Sequence, residues 1–246
     1  MSDGAVARIR SSAGIALLGR QVVVHGRDLH HECLDLSFVH YLLFCVCGRR
    51  LDERRARVLE ELWVSTGYPD ARIWCNRIAA YLGSARVDPG LSMSAALAAS
   101  DSVAYGFRAV LHARDVQAEI PEELAARAAW LDGALAARRV LHGYGRPIRG
   151  TDERIAVALR SMVNAGVPAG PALRRAFWLH DRLRETKGIQ MNIAALWGAV
   201  AIDFGLRRHE YEQFMTLMFA PGYAAAYADQ RARPALTFLA GHQSAV

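Results

Sequence analysis

Lysine is almost absent from this chain. Lys187 is the only one among 30 Lys+Arg residues, which leaves 30 − 1 = 29 arginines. Nearly every positive charge is therefore a planar guanidinium, which stays protonated, cannot act as a general base and grips carboxylates and phosphates by its fork. A long apolar run is missing too. The strongest one, around residues 38–47, falls far short of the roughly 18 residues that a membrane helix needs. The opening stretch MSDGAVARIR has no apolar signal core, so a soluble cytoplasmic protein is expected, with no membrane partner. No zinc-finger or RNA-binding signature accompanies the net charge of +6, and the arginines form no block, so nucleic acid is not an expected partner. There are only four cysteines. Cys45 and Cys47 are spaced C-x-C in an apolar run, which reads as buried reduced thiols and not as a redox or zinc motif. The chain has no G-x-S-x-G elbow, so its serines and histidines do not assemble a hydrolase signature. His30, His31 and Glu32 are neighbours in sequence and do not share a helix face, so no metal is expected.

What is present is one helical segment after another. Residues 15–18 and 21–24 flank Gly19 and read as two short extended segments joined by a turn. Asp35 or Ser37 caps a helix that ends at Gly48, and Asp52 caps a second, with Val58, Leu59, Leu62 and Trp63 on one face and Gly67 at its end. Asp70 is expected to cap a third helix running to Gly83, and an Ala-rich helix follows Pro89. Pro121, Glu122 and Glu123 combine proline with carboxylates in a first turn, which predicts a helix from there to Gly143. Thr151 opens another that ends near Gly166. Gly170 and Pro171 start the next, Gly188 ends it, and two or three more fill residues 192–230 before Pro234. The fold class is all-α with a short extended N-terminal segment, and no internal repeat or low-complexity linker is present.

One stretch stands apart: Gly143-Tyr144-Gly145-Arg146-Pro147-Ile148-Arg149-Gly150-Thr151-Asp152-Glu153-Arg154. It resembles the active-site loop of citrate synthase and citryl-CoA lyase, with Arg146 where that family has a catalytic histidine. Other pieces follow in the same order. Val24-His25-Gly26-Arg27-Asp28-Leu29 resembles an early Tyr-Arg-Gly-x-Asp-Ile element. The stretch from Gly83 through Asp88 and Pro89 to Tyr105 and Gly106 resembles the one that ends in the family's Leu-His-Gly. Met191-Asn192-Ile193-Ala194 and Arg233-Pro234 complete the set. The chain is thereby similar to the citrate synthase superfamily, and in length to citryl-CoA lyase or the lyase module of ATP-citrate lyase. The resemblance implies a two-lobed helical fold, with residues 1–106 and 199–246 forming the large domain and residues 107–198 a smaller lobe, and a homodimer as the working unit.

The resemblance also implies chemistry. The family uses two histidines and an aspartate: the aspartate removes a proton next to a thioester carbonyl, and the histidines serve the two oxygens. The matching positions here are Tyr105, Arg146 and Ala194. Tyr105 can still donate a hydrogen bond to an enolate, Arg146 can hold an oxyanion or a carboxylate, and Ala194 offers no acid–base group. Arg154 matches the arginine that holds a substrate carboxylate, Arg233 matches the one contributed by the partner subunit, and Tyr223 stands where a third arginine is found. Asn192 belongs to the substrate-binding set. Gly143 and Gly145 could let a coenzyme A ligand approach the main chain, with Arg149 and Lys187 beside its phosphates. Two functions remain open: carbon–carbon bond formation or cleavage on a CoA thioester and a keto acid, with an altered catalytic set, or a non-catalytic relative with a regulatory or assembly role. A base that had moved in from elsewhere would be a carboxylate such as Asp181 or Glu185.

Overall fold

The computed structural model describes residues 11–17, 19–146 and 150–236. Its extended part is a small antiparallel sheet of β1 (Gly14–Leu17), β2 (Gln21–Val24) and β3 (Arg27–Asp28) in the order β1-β2-β3. Gly14 pairs with Val24 and Leu17 with Gln21. Gly19 turns the hairpin at a positive φ of 69°, and β3 adds a strand that the sequence pattern did not announce.

A four-residue helix α1 (Leu29–Glu32) follows, and then eleven helices of nine or more residues among the described residues. Helix α2 (Phe38–Cys47) starts where the Ser37 side chain accepts from the His40 amide and stops at Gly48, whose φ is 67°. Helix α3 (Glu53–Thr66) is capped by Asp52, and its buried stripe is Val58, Leu59, Leu62, Trp63 and Thr66, the i, i+3, i+4 spacing of an amphipathic helix.

Three boundaries differ from expectation. Helix α4 is Trp74–Ser84, because the Asp70 carboxylate is used by the Arg72 amide at 2.8 Å in a preceding turn. After α5 (Pro89–Ser100) comes α6 (Phe107–Glu119), for which no cap signal exists; its buried face of Phe107, Val110, Leu111 and Val116 is the only trace in the sequence. Helix α7 is Leu124–Ala136 and stops well short of Gly143, since the chain turns at Arg138 with φ 49°. Pro121 and Glu122 lie ahead of it, and their carbonyls accept from the Arg127 guanidinium at 3.0 and 2.6 Å.

Helix α8 (Glu153–Asn164) is capped by Asp152 and not by Thr151. Helix α9 (Pro171–Lys187) ends at Gly188 as expected. Its first amides, of Ala172 and Leu173, donate to the Asp203 carboxylate at 2.8 and 2.9 Å, at the far end of α10 (Ile193–Asp203). Helices α11 (Arg208–Thr216) and α12 (Ala220–Arg231) complete the chain described.

Three hydrophobic clusters hold these elements together. The largest joins α2, α3, α6 and α8–α11 around α10, whose Ala195, Leu196, Trp197, Ala199 and Val200 are buried on all sides. Residues of α6, α7 and α9 form a second, around Leu131, Leu179 and Leu183. Helices α4, α5 and α12 form a third, around Cys75, Ala79, Ala96 and Tyr223. Cys33, Cys47 and Cys75 are buried, Cys45 is half-buried, and all four are free thiols. No helix of the described residues is long and apolar enough to cross a membrane.

Candidate functional site

The segment 143–146 is strapped to the start of α10. The Asn192 amide donates to the Gly143 carbonyl at 2.8 Å, and Gly145 donates to the Gln190 carbonyl at 2.7 Å. Tyr144 and Met191 form an isolated antiparallel bridge, and the Met191 amide is fixed by His180 Nδ1 at 3.0 Å. The Asn192 side chain accepts from the Ala194 amide as the cap of α10 and donates through Nδ2 to the Gly145 carbonyl, both at 2.9 Å. Its polar atoms thus hold the loop on the helix. Gly143 explains why the approach is so close: with φ 90°, a Cβ there would lie 2.7 Å from the Ala195 Cβ and 2.9 Å from its Cα. Gly145, also at φ 89°, has only the Ile189 Cγ2 nearby, at 3.9 Å, and its other side is open.

Asp152 is the centre of the charge cluster. It is buried at 3% exposure, and its carboxylate accepts from Arg154 Nε at 2.8 Å and Nη2 at 2.7 Å, a two-point fork. It also accepts from the amides of Ile193 at 2.9 Å and Arg154 at 3.2 Å, so one carboxylate ties the starts of α8 and α10 together. Burial opposes its ionisation, but the Arg154 guanidinium and these amides outweigh that and hold the carboxyl below its usual range. Arg154 is raised despite its own burial, because Asp152 favours its charged form. Arg146 donates to the Thr151 carbonyl and to Glu153 Oε2, both at 3.1 Å, and lies 3.9 Å from Asp152.

The Tyr105 phenol is within electrostatic reach of Arg154, Arg146 and the Tyr68 phenol. Burial raises its pKa, Tyr68 adds to that and the two guanidinia partly offset it, so the group is a neutral donor at physiological pH. Tyr105 also lines an open depression of about 570 Å³ with Arg72, Trp74, Ser102 and Ala104. Its carbonyl accepts from Trp74 Nε1 at 3.0 Å.

The structure therefore brings Arg146 and Arg154 together at Asp152, beside the Asn192 frame of Gly143 and Gly145, with Tyr105 within electrostatic reach of both. Other expected residues lie elsewhere. Lys187 lines a separate depression of about 480 Å³ between α7 and α9, with Leu131, Trp178 and Arg182. Arg233 is bonded to Asp229 at 3.1 Å near the end of α12, away from the cluster within this chain. Arg149 lies outside the described residues. Tyr223 is 2% exposed, and burial pushes its pKa up to about 12. Asp181 and Glu185 pair with Arg184 and Arg182 on the surface of α9, at 3.2 and 3.5 Å, so neither supplies a base to the cluster. Among the described residues no three His, Cys, Asp or Glu side chains converge as a metal would need. Sequence reasoning missed Asp152, although it lies two residues before Arg154 in the same motif. It also missed Tyr68 and Trp74, whose only signal was an aromatic pair flanking a Pro-Asp turn.

Several solved structures resemble this arrangement of helices. The citryl-CoA lyase of Hydrogenobacter thermophilus superposes with a TM-score of 0.78 over 93% of this chain and 89% of that one, at 18% identity. The chain has the citrate synthase superfamily fold. An ATP citrate lyase from Methanothrix soehngenii, in complex with citrate and coenzyme A, matches with a TM-score of 0.79 over 91% of this chain at 16% identity, and the match spans only 39% of that longer chain. A citrate synthase from Thermoplasma acidophilum, in a ternary complex with carboxymethyl coenzyme A and oxaloacetate, matches with a TM-score of 0.65 over 81% of this chain and 55% of that one, at 19% identity. No protein-family model matches the sequence, and no curated protein does.

Proposed function

We propose that this protein binds a CoA thioester together with a carboxylate-bearing molecule of the keto acid type. It makes or breaks a carbon–carbon bond through a thioester enolate that arises by heterolysis of a carbon–carbon bond and not by removal of a proton from the carbon next to the thioester. The observation that carries this reading is the composition of the Tyr105 cluster: two guanidinia and a neutral phenol, with its two carboxylates, Asp152 and Glu153, already engaged by arginine. Guanidinia stabilise a developing enolate or hold a carboxylate, and the phenol can deliver a proton to it. Loss of CO2 from a malonyl-type thioester leaves the bond electrons on the α-carbon, from which they delocalise onto the thioester oxygen as the enolate, with no base at all. Cleavage of a citryl-type thioester reaches the same enolate: as the carbon–carbon bond breaks, the hydroxyl oxygen becomes the carbonyl of the keto acid and gives up its proton to water, and the enolate carbon takes a proton to form the acetyl thioester.

In this reading Arg154 and Arg146 orient the carboxylate, Tyr105 serves the thioester oxygen, Gly145 lies along the ligand, and Arg149 serves its phosphates. Arg233 completes the site of a neighbouring subunit in a cytoplasmic homodimer, and the lobe of residues 107–198 closes on the ligand.

A second reading has its own support. Both guanidinia are already satisfied by Asp152 and Glu153, which suits a relative that keeps the fold and binds the ligand without turnover. One experiment separates the two. The protein is incubated with malonyl-CoA, with citryl-CoA, and with acetyl-CoA in D2O. Product from either of the first two, lost in Arg146→Ala, together with no deuterium in the acetyl methyl, is the expected result. Methyl exchange would overturn the base-free route, and ligand binding without any product would establish the non-catalytic reading.

A further inference from the structure

Four consecutive residues leading into α10 are each pinned from a different side. The Gln190 carbonyl accepts from the Gly145 amide at 2.7 Å, and the Asn192 amide donates to the Gly143 carbonyl at 2.8 Å. The Ile193 amide donates to Asp152 at 2.9 Å. Between them, the Met191 amide donates to His180 Nδ1 of α9 at 3.0 Å. Three of these anchors are indifferent to pH near neutrality. Two are peptide groups, and burial opposes the charge of Asp152 without preventing it, because Arg154 and the amides hold its pKa below the ordinary carboxylate value. His180 is the exception.

A backbone amide can only donate, so Nδ1 is the accepting nitrogen and the ring is the neutral tautomer with its proton on Nε2. An imidazolium has no acceptor. Protonation would set a second donor against the amide of Met191, a residue only 1% exposed, where an unpaired donor is costly. The surroundings favour the neutral ring. Burial lowers the His180 pKa, Asp181 partly offsets this, and Arg184 adds to the lowering. Those two charges lie on the same helix and pair with each other at 3.2 Å. Phe177 sets its ring edge against the imidazole. The facing segment Gly188-Ile189-Gln190-Met191-Asn192 carries no titratable side chain, and Arg146 beyond it is engaged by Thr151 and Glu153.

We propose that His180 is a positioning residue for the arginine site and makes it sensitive to protons. Neutral, it fixes residues 190–193 in the register that holds Gly145, next to Arg146, and Asp152, the partner of Arg154. Protonated, it releases that register, and both guanidinia lose their frame. This rests on the reading of the site given above. The folded pKa lies below the ordinary 6.5, so the contact is fully present above that value and is lost as pH falls through the folded one.

The test is hydrogen exchange of the Met191 amide, together with calorimetric titration of oxaloacetate in the presence of CoA. Both are run at about pH 7.5 and about pH 5.5, on either side of the ordinary histidine value, with the wild type, His180→Asn and His180→Phe. Asparagine offers an accepting oxygen in place of Nδ1 and does not titrate, whereas phenylalanine keeps a flat ring and accepts nothing. Between the two pH values the wild type is expected to lose about tenfold in affinity, on the scale of one hydrogen bond. Its Met191 protection, corrected for the intrinsic pH dependence of exchange, should fall with it. His180→Asn should lose less than about threefold in both, and His180→Phe should already be about tenfold weaker at the higher pH. The asparagine variant sees the same ligand and keeps His142, which meets His112 of α6 ring to ring at 5.0 Å, so its difference from the wild type belongs to His180. Parallel losses in the wild type and His180→Asn would overturn the proposal and leave the site reading intact. So would constant affinity while Met191 protection falls, since His180 would then serve packing alone. No oxaloacetate binding to the wild type at either pH would overturn the site reading, and the positioning role with it.

Discussion

Two buried carboxylates in this molecule are each gripped by arginine, and they differ in what the arginines face. Glu210, with no exposed side-chain surface, accepts from Arg49 at 2.6 Å and from Arg207 Nε at 2.8 Å. Those two guanidinia are 43% and 63% exposed, so they close the cluster against solvent. The Arg49 hydrogen bond, followed by those from Arg207, brings the Glu210 pKa down to about 2 against the resistance of burial. Asp152 is equally buried, but Arg146 and Arg154 are only about one-fifth exposed and reach the Tyr105 phenol electrostatically. The first arrangement locks α11 to the α2–α3 connection. The second locks α8 to α10. The same pair chemistry thus serves packing in one place and a candidate site in the other, and the orientation of the arginines decides which.

The comparison can be broken at its site end first. Asp152→Asn should cost about 3–5 kcal/mol, the range for removing one partner of a buried pair, and should release Arg154 from its fork. A denaturant midpoint within error of the wild type would show that Asp152 holds nothing together. Next is Gly143→Ala, where backbone strain adds to overpacking against Ala195, for about 3 kcal/mol. Gly145→Ala, at the same φ but with open space beside it, should cost only about 1 kcal/mol. Equal losses from the two glycines would mean that the close approach to α10 is not what fixes the loop.

Between these lies Glu210→Gln, expected at about 2–3 kcal/mol. This is below the fully buried range because its two arginines keep contact with water. It should leave carboxylate binding as it is. The folded pKa of Glu210 is depressed, so its contribution is fully present above the ordinary value of 4.5 and is lost as pH falls toward about 2. Urea titrations across that interval should show wild-type stability falling more steeply than that of Glu210→Gln. Parallel curves would contradict the assignment.

Much of this was legible in the sequence, for identifiable reasons. Caps such as Ser37 and Asp52 and stops such as Gly48 and Gly188 declare themselves locally, because side-chain oxygens and positive φ are local demands. The order of motifs around Gly143 and Arg154 placed the chain in a fold that the solved structures bear out. What stayed hidden depends on tertiary contact. Asp70 looked like a helix cap and serves a turn. Helix α6 starts without a side-chain cap, and its identity rests on the core it packs into. Asp203 caps α9 from a distance of about thirty residues. The contact of Trp74 Nε1 with the Tyr105 carbonyl joins positions 31 residues apart, and only the fold brings them together.

The most direct test of the central claim is to titrate oxaloacetate and pyruvate, each with CoA present, into the wild type and into Arg154→Gln by calorimetry. The account predicts saturable binding of at least one keto acid to the wild type, and an affinity roughly a hundredfold lower in the variant, about 2.7 kcal/mol, as charge-assisted hydrogen bonds are lost. Binding of equal strength to both proteins would contradict it, because the Asp152–Arg154 cluster would then be packing alone, as Glu210 is.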